Sequence, residues 1–439
     1  MRIVYYHIDE LARDSIVASV LKKELKKRGI DLIYGNRFSM RFLSSLRFAD
    51  LVILPSLGHF QAVFPDNTDL PKNILIFPAE AVGQATGHLR RMNAKYFGND
   101  EKKSSPWHNA VKAFLLWGYD HLRLFKEQHP EYIEKCKVVG HPRLDSRCLK
   151  KREKNTSLKK KKIKVGFVSR FSNINTYHSI SNFESIFRGM KRDGIEFPTF
   201  ENSPDRDVED YLYTEMVDFR LILKIIDSMD LTKFEVFLRP YPRENRFNWH
   251  KLVESNKLDL TISAWDEPFA SWLSEMDFII SPPSTIFYEA LSVGHSPICT
   301  MDIVANRKSH VLTESDDNNQ ILKYVRRPKT IDALLALLNE EEQFNLHPDV
   351  EKILLGQTAS DIASSSITNL ADACEKLIDQ NIPSAKVKYR KIYVMVYKIT
   401  TFSLSYIQHI RNFFVRGGEQ GSTFALTRSR SRMIDFLSN

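Results

Sequence analysis

The sequence lacks any uninterrupted run of about 18 apolar residues, the length that a helix needs to cross a bilayer. Its opening residues, MRIVYYHIDE, also lack the charged segment and long apolar core of a signal peptide and are typical of a β-strand. We therefore expect no membrane-spanning segment, and a protein that works in the cytoplasm.

Motifs for disulfide, zinc and dinucleotide sites are also missing. The four cysteines are scattered without CxxC spacing, at Cys136, Cys148, Cys299 and Cys374. This pattern indicates neither a disulfide framework nor a zinc site, and it fits a reducing compartment. No GxGxxG sequence follows a predicted strand, so a dinucleotide cofactor is not expected.

Acidic residues are nearly absent from the last part of the chain. Residues 386–439 contain ten Lys or Arg and two acidic residues, a net charge of +8. The whole chain carries 63 Lys and Arg against 54 Asp and Glu, which is +9, so residues 1–385 carry 53 basic and 52 acidic residues and are close to neutral. Nucleic-acid binding by the body of the protein is therefore not expected.

What the sequence does contain is enough apolar residues for large cores, and a regular alternation of strands and helices. With 439 residues, of which 43% are hydrophobic, the chain can form two domains of about 150 to 200 residues. The alternation predicts an α/β protein with two Rossmann-like domains and parallel sheets. We assign residues 1–149 to the first domain, 150–164 to a basic linker, 165–385 to the second domain with its bracing helices, and 386–439 to a basic amphipathic tail.

The most informative stretch covers residues 234–303, where a strand, FEVFL, is followed by RPYPRE. The prolines end both strand and helix, so Arg239, Tyr241 and Arg243 follow the carboxyl end of this strand. In an open α/β sheet that is the edge where ligands bind, and guanidinium groups are suited to neutralise a phosphate there.

A second polar loop, SPPST, follows the strand DFII and begins with Ser281. Because IFYEALSVG after it has helical periodicity, Ser284 or Thr285 is predicted to cap a helix whose positive end attracts an anion. We expect this loop and the arginine loop to lie at the ends of neighbouring strands and to bind a phosphate or diphosphate together. An ordinary cap and a solvated turn are the alternative.

Several motifs of this stretch together resemble a known family. They are RPYPRE with a Trp five residues on, a WL pair, SPPST, IFYEAL and G-x-x-P-I. The chain resembles the bacterial surface carbohydrate biosynthesis proteins, which belong to the GT-B-type glycosyltransferases and are similar to retaining β-Kdo transferases. The resemblance implies two Rossmann-like domains facing a cleft, with a nucleotide-activated sugar held mainly by the second. Those relatives usually have His where this chain has Tyr241.

The resemblance also implies donor contacts from other parts of the second domain. Glu289, one turn into the helix after SPPST, would accept hydrogen bonds from ribose hydroxyls, or else be a structural acid. The loop after the first strand of the domain resembles the family's Asn-rich loop, for which ordinary turn chemistry is the alternative. Its residues that would meet the sugar or phosphate are Arg170, Ser172, Asn173 and Asn175.

Two loops of the first domain carry polar chemistry. Glu80 follows the strand NILIF and would lie at the ligand edge as an acid or base, or simply favour a helix dipole. The sequence GHPRLD, at residues 140–145, has a G-x-P-R-x-D pattern that resembles the interdomain segment of the same family and of polyol-phosphate transferases. It would place His141 and Arg143 beside the cleft.

An acidic insertion in the second domain supplies Asp205, Asp207 and Asp210. If the reaction retains configuration, as the resemblance suggests, a carboxylate must attack the anomeric carbon; Asp207 or Asp205 would then be the nucleophile, with Glu80 as acid or base. Solvated surface acids are the alternative. No DxD pair follows a predicted strand, so we expect no cofactor and no obligatory metal, the arginines and the helix dipole stabilising the leaving group.

These patterns predict a glycosyltransferase that uses a nucleotide-activated sugar, such as CMP-Kdo, to extend a bacterial surface polysaccharide, either a capsule or a lipopolysaccharide O-antigen. The acceptor would be a glycan or a lipid-linked glycan. Two alternatives stay open. One is a transferase of polyol phosphates from CDP-glycerol-type donors, and the other is a non-catalytic scaffold of a polysaccharide assembly complex, which Tyr241 in place of His would suit.

The basic tail predicts where the protein works. Tyr389, Tyr393 and Tyr397 recur every fourth residue and would share one face of a helix. A segment of this composition can lie in the interface of an anionic leaflet, here the inner face of the cytoplasmic membrane. A terminal helix that covers the core is the alternative.

Overall fold

The computed structural model describes residues 2–8, 11–35, 49–56, 73–78, 110–149, 162–172, 174–175, 208–242, 244–264, 267–303, 321–340 and 346–380, together with residues 392, 395, 396, 399 and 403. The chain divides into two compact units. Unit 1 takes its described residues from Met1–Lys150 and Pro348–His409, and unit 2 takes its described residues from Lys151–His347.

Unit 1 is built on a parallel sheet. Its first elements are β1 (Arg2–His7), α1 (Leu11–Lys27), β2 (Ile30–Gly35), β3 (Leu51–Leu54), β4 (Ile74–Ile76), β5 (Val111–Leu116), α2 (Tyr119–Gln128) and β6 (Cys136–Val138), with 3-10 turns at Pro130–Lys135 and Pro142–Leu144. The described strands pair in the order β2-β1-β3-β4-β5-β6. Strands β1, β3 and β4 are apolar and buried along nearly their whole length, as is usual in a parallel sheet covered on both faces.

Unit 2 contains a second parallel sheet. Its elements are β7 (Ile163–Val168), α3 (Val208–Asp227), β8 (Phe234–Arg239), α4 (Arg246–Asn256), β9 (Thr261–Ile262), α5 (Phe269–Glu275), β10 (Phe278–Ser281), α6 (Ile286–Val293), β11 (Ile298–Cys299) and α7 (Ile331–Leu338). Its core includes apolar side chains of β7, α3, β10 and α7. Because α3 already begins at Val208, the end of the predicted acidic insertion, with Asp210, belongs to this helix.

The strands of unit 2 are arranged in the order β11-β10-β7-β8-β9. The chain adds β8 and β9 on one side of β7 and then crosses to add β10 and β11 on the other. This crossing leaves a topological switch point between β7 and β10, the place where ligands bind in open α/β sheets. We predicted that the loops after β8 and β10 follow neighbouring strands; this is corrected by the structure, because β7 lies between those strands.

The last two described helices, α8 (Pro348–Thr358) and α9 (Ser366–Gln380), return to unit 1. Helix α8 packs on α2, and α9 packs on α1. We predicted both helices as part of the second domain, and this assignment was wrong. Both helices pack on unit 1 helices that lie more than 200 residues earlier in the sequence. The buried side of α9 includes Ile367, Leu370, Cys374 and Ile378.

Two parallel sheets covered by helices confirm the predicted α/β class. Within the described ranges, no helix is both long and apolar enough to span a bilayer. Residues 150–161 of the predicted linker lie outside the described residues, and β7 begins at residue 163. Of the predicted tail, only five helical positions are described, and Tyr389, Tyr393 and Tyr397 are not among them.

Candidate functional site

Three loops follow adjacent strands at the carboxyl edge of the unit 2 sheet. These strands are β10, β7 and β8, in that spatial order. In the parallel register Val168 of β7 lies beside Arg239 of β8, and Phe167 lies beside Ile280 of β10, so the strands end at nearly the same level. The loop after β7 is therefore flanked by the RPYPRE loop on one side and the SPPST loop on the other.

The carboxylate of Glu244 joins the loops after β7 and β8. It is 2% exposed. It accepts hydrogen bonds from Phe171 N (2.8 Å), the Ser169 hydroxyl (2.8 Å), Trp249 Nε1 (2.7 Å) and Tyr241 N (3.2 Å). Burial raises the pKa of Glu244 above its usual value, although the four donors act in the opposite direction. We predicted no role for Glu244; the available signal was the pairing of RPYPRE with a Trp five residues on.

Arg239 lies at this edge, but its guanidinium is already engaged. Its Nη2 donates to the Glu267 carbonyl at 2.6 Å, its Nη1 lies 3.5 Å from the Glu267 carboxylate, and the group stands over the ring of Phe269. Only 7% of Arg239 is exposed, and burial lowers the pKa of its guanidinium. Arg239, which we predicted to bind a phosphate, is thus held by Glu267, a residue that the sequence analysis did not connect with it.

Arg170 is the cation at the switch point. It follows β7, stays partly exposed, and donates from Nη1 to the Pro283 carbonyl at 2.8 Å. Pro283 belongs to the SPPST loop after β10. This bond therefore ties the two loops that border the switch point and holds the guanidinium between them.

The SPPST loop leads directly into α6. The Ser284 hydroxyl accepts from Ile286 N at 3.4 Å, whereas Thr285 occupies the backbone N-cap position without a side-chain cap bond and is exposed. Ser281 is buried and donates to the Val168 carbonyl at 3.4 Å. Of the two predicted caps, Ser284 supplies the hydroxyl, and the start of α6 stays accessible beside Arg170.

The structure also describes four other predicted site residues of unit 2. The Asn175 side chain donates to the Asn245 carbonyl at 3.2 Å and accepts from Asn248 at 2.9 Å, so its amide is used at the start of α4. Glu289 is 5% exposed in the first turn of α6. Ser172 and Tyr241 are partly exposed.

In unit 1, His141 is fully buried after β6. Its ring packs on Trp117 with centroids 4.2 Å apart, and its Nδ1 accepts from Arg143 N at 3.1 Å. The Arg143 guanidinium lies 5.6 Å from the Trp117 ring. Burial lowers the pKa of His141 well below its usual value, so the imidazole is neutral.

Other residues of the G-x-P-R-x-D pattern connect this loop to α9 and to the 3-10 turn at Ala363–Ser365 that precedes it. Gly140 has φ +88°, and an added Cβ would lie 2.9 Å from Ala363 Cα. Asp145 is buried and accepts from Arg147 Nε at 2.8 Å and from Ile367 N at 2.9 Å. Burial acts to raise the pKa of Asp145, but these hydrogen bonds hold it below the usual value. Gly and Asp of the pattern therefore have a structural role within unit 1.

Five predicted site residues lie outside the described part of the chain. They are Glu80, Asn173, Asp205, Asp207 and Arg243.

Comparison with known proteins shows the fold. No protein-family model and no curated protein matches the sequence, so the resemblance to Kdo transferases finds no support at the sequence level. The wall teichoic acid polymerase TagF, in a structure with CDPG, is 8% identical with a TM-score of 0.51, and the match covers 87% of this chain and 90% of that one. The predicted GT-B-type fold with two Rossmann-like domains is thereby confirmed.

Two further solved structures are similar. The UDP-GlcNAc 2-epimerase of Methanocaldococcus jannaschii, in complex with UDP-GlcNAc and UDP, is 11% identical with a TM-score of 0.46, over 85% of this chain and all of that one. The MnaA–UDP structure of S. aureus is 10% identical with a TM-score of 0.44, over 86% of this chain and 97% of that one.

Proposed function

We propose that this protein is a glycosyltransferase that takes a sugar from a nucleotide-activated donor held by unit 2. The observation that carries the proposal is the β7–β10 switch point, where Arg170 and the start of α6 lie together. A helix N-terminus and a guanidinium are both suited to a phosphate group, and the switch point is the usual ligand position of such a sheet. The CDPG in the structure of TagF, a protein of the same fold, supports a nucleotide-activated donor.

In this proposal Arg170 and the start of α6 take the donor phosphates, and Glu244 fixes the loop that carries Arg170. Glu289, which is 5% exposed, accepts hydrogen bonds from the ribose in the role that the motif resemblance gives it. Arg239 and Arg243 are the further phosphate partners predicted from the sequence, and Arg239 would have to exchange its contact with Glu267 for one with the phosphate. If configuration is retained, Asp205 or Asp207 is the nucleophile and Glu80 the acid or base.

The acceptor we propose is a glycan or lipid-linked glycan of a bacterial surface polysaccharide, and the location is the cytoplasm. The acceptor, like CMP-Kdo as a donor, rests on the motif resemblance alone, whereas the location rests on the cysteine pattern and the lack of long apolar runs. Donor and acceptor are tested by incubating the protein with CMP-Kdo, UDP-sugars or CDP-glycerol and measuring nucleotide release with and without glycan acceptors.

The phosphate site is tested at Arg170. Arg170→Ala should weaken nucleotide binding in calorimetry by about 2 kcal/mol, roughly 30-fold, because a charge-assisted hydrogen bond to phosphate is lost. Arg239→Ala is less informative, since it also removes the partner of Glu267. Arg220→Ala, at an exposed position of α3, is the control and should bind as the unchanged protein does. Unchanged affinity in a folded Arg170→Ala variant would exclude this site.

A second candidate function is transfer of a polyol phosphate. It is favoured by the fold shared with TagF over 87% of this chain and by the G-x-P-R-x-D pattern at residues 140–145. The two functions differ in the bond formed, because a polyol-phosphate transferase adds one phosphodiester phosphorus to the acceptor with each transfer and a glycosyltransferase adds none. Phosphorus NMR of the acceptor product therefore separates them, and the absence of nucleotide release with every donor would favour a scaffold.

A further inference from the structure

Four apolar side chains of the tail form an exposed stripe. Ile392, Met395, Val396 and Ile399 are helical and between 50% and 55% exposed. Their spacing of three, four and seven residues puts them on one face of a helix. We call these four residues the apolar stripe. The next described helical position, Ser403, continues the same spacing.

Elsewhere in the described residues, no helix has more than one large exposed hydrophobic side chain. Large exposed hydrophobic side chains outside the stripe are Tyr119, Met216 and Leu355, and each belongs to a different helix. Single exposed apolar residues are normal on protein surfaces, whereas a contiguous apolar face indicates an interaction site. The stripe is therefore a surface that a partner covers.

The charge of the surrounding sequence identifies the partner. Residues 386–418 contain seven Lys or Arg and no acidic residue, and residues 386–439 as a whole carry +8. A surface that binds both an apolar helix face and a cluster of positive charges must offer negative groups at its outside and apolar groups beneath them. A bilayer containing anionic lipid has this construction. A second copy of the chain would bring an equal positive charge to the contact and be repelled.

We propose that the apolar stripe docks on the surface of an anionic lipid bilayer. The four side chains of the stripe insert at the level of the headgroups, and the net positive charge of residues 386–439 attracts the segment to the lipid phosphates. This surface belongs to unit 1 and does not depend on the nucleotide site of unit 2.

The test uses the full chain in sedimentation with vesicles of phosphatidylcholine alone or with about one third phosphatidylglycerol. Binding should require the anionic lipid and fall at least about tenfold in about 0.5 M NaCl, where charge attraction is screened. The double variant Met395→Asp, Ile399→Asp should also bind at least about tenfold less. Met216→Asp is the matched control, because Met216 is also 55% exposed, and it should bind like the unchanged chain.

Three outcomes would overturn the proposal. They are no binding of the unchanged chain to anionic vesicles, equal binding of the double variant, and a dimer in sedimentation velocity that the double variant dissociates while vesicle binding is absent. Nucleotide affinity, measured on the same samples, should be the same in all variants. A failure of vesicle binding is thereby separated from a failure of the proposed catalytic function.

Discussion

At the scale of residues, the role of each charged group at the unit 2 edge is set by its hydrogen-bond partner. Arg239 and Arg170 both follow strands of the same sheet, but Arg239 donates to Glu267 and Arg170 donates to Pro283. The first contact buries a cation beside a carboxylate, and the second leaves a cation partly exposed at the switch point. Arg170 is therefore better placed to meet an anionic ligand, because its hydrogen-bond partner within the described residues is a carbonyl oxygen and not a carboxylate.

Glu244→Gln should lower the free energy of unfolding of unit 2 by about 1 to 3 kcal/mol. The amide keeps the shape of the carboxylate but offers one acceptor oxygen. Because Phe171 N donates to Oε1 and Trp249 Nε1 donates to Oε2, the NH2 group faces one of these two donors in either orientation. At least one buried donor then loses its partner.

Urea unfolding followed by tryptophan fluorescence measures this change. Glu254→Gln, at an exposed position of α4, is the control and should be neutral. Equal unfolding midpoints for the two variants would contradict the role assigned to Glu244.

At the scale of elements, periodicity predicted the strands and helices well, because their apolar patterns are local. The strands FEVFL and DFII and the helix IFYEALSVG appear as β8, β10 and α6. The order of the strands in the sheet was harder to predict, because no local pattern in the sequence indicates on which side of β7 the strand β10 is added. For this reason the prediction that the RPYPRE and SPPST loops follow neighbouring strands was wrong, although both loops lie at the same edge of the sheet.

The packing of α8 on α2 depends on a close contact between two glycines. A Cβ added at Gly118 would lie 2.3 Å from the Gly356 carbonyl oxygen and 2.4 Å from the Gln357 carbonyl carbon, both backbone atoms. A Cβ added at Gly356 meets the Asp120 side chain, which can move. Gly118→Ala should therefore destabilise unit 1 by about 1 to 3 kcal/mol.

Gly356→Ala is the matched control for this contact. It should be much less harmful, because Ala favours the helix by about 1 kcal/mol and offsets the displacement of Asp120. Thermal unfolding of both variants measures the difference. If Gly356→Ala lost as much stability as Gly118→Ala, the backbone contact would not be what holds α8 against α2.

At the scale of the whole molecule, the division of the chain differs from its order in sequence. Two Rossmann-like domains were predictable from alternating strands and helices, but the return of α8 and α9 to unit 1 was not. That return rests on contacts between residues more than 200 positions apart, such as Asp145 with Ile367 N. In the same way, the arginines and serines of the site could be identified in the sequence, whereas the contact of Arg239 with Glu267 could be seen only in the folded arrangement.

Two buried histidines should make unit 1 sensitive to mild acid. Burial lowers the pKa of His121 to about 4 and that of His141 well below its usual value, so the native unit holds both imidazoles neutral. The unfolded chain, with a His pKa of about 6.5, takes up protons that the native unit does not. The stabilisation is therefore complete above about pH 6.5 and is lost as the pH falls towards 4.

For His121 alone, the free energy of unfolding should be about 2 kcal/mol lower at pH 5 than at pH 7. Urea unfolding of the unchanged chain and of His121→Leu at both pH values isolates this contribution, which should disappear in the variant. His250→Leu, at an exposed position of α4, is the control and should keep the full difference. A pH 5 to pH 7 difference that is the same in His121→Leu and the unchanged chain would show that this imidazole is not held neutral, and the acid sensitivity of unit 1 would then have to come from His141 or the carboxylates.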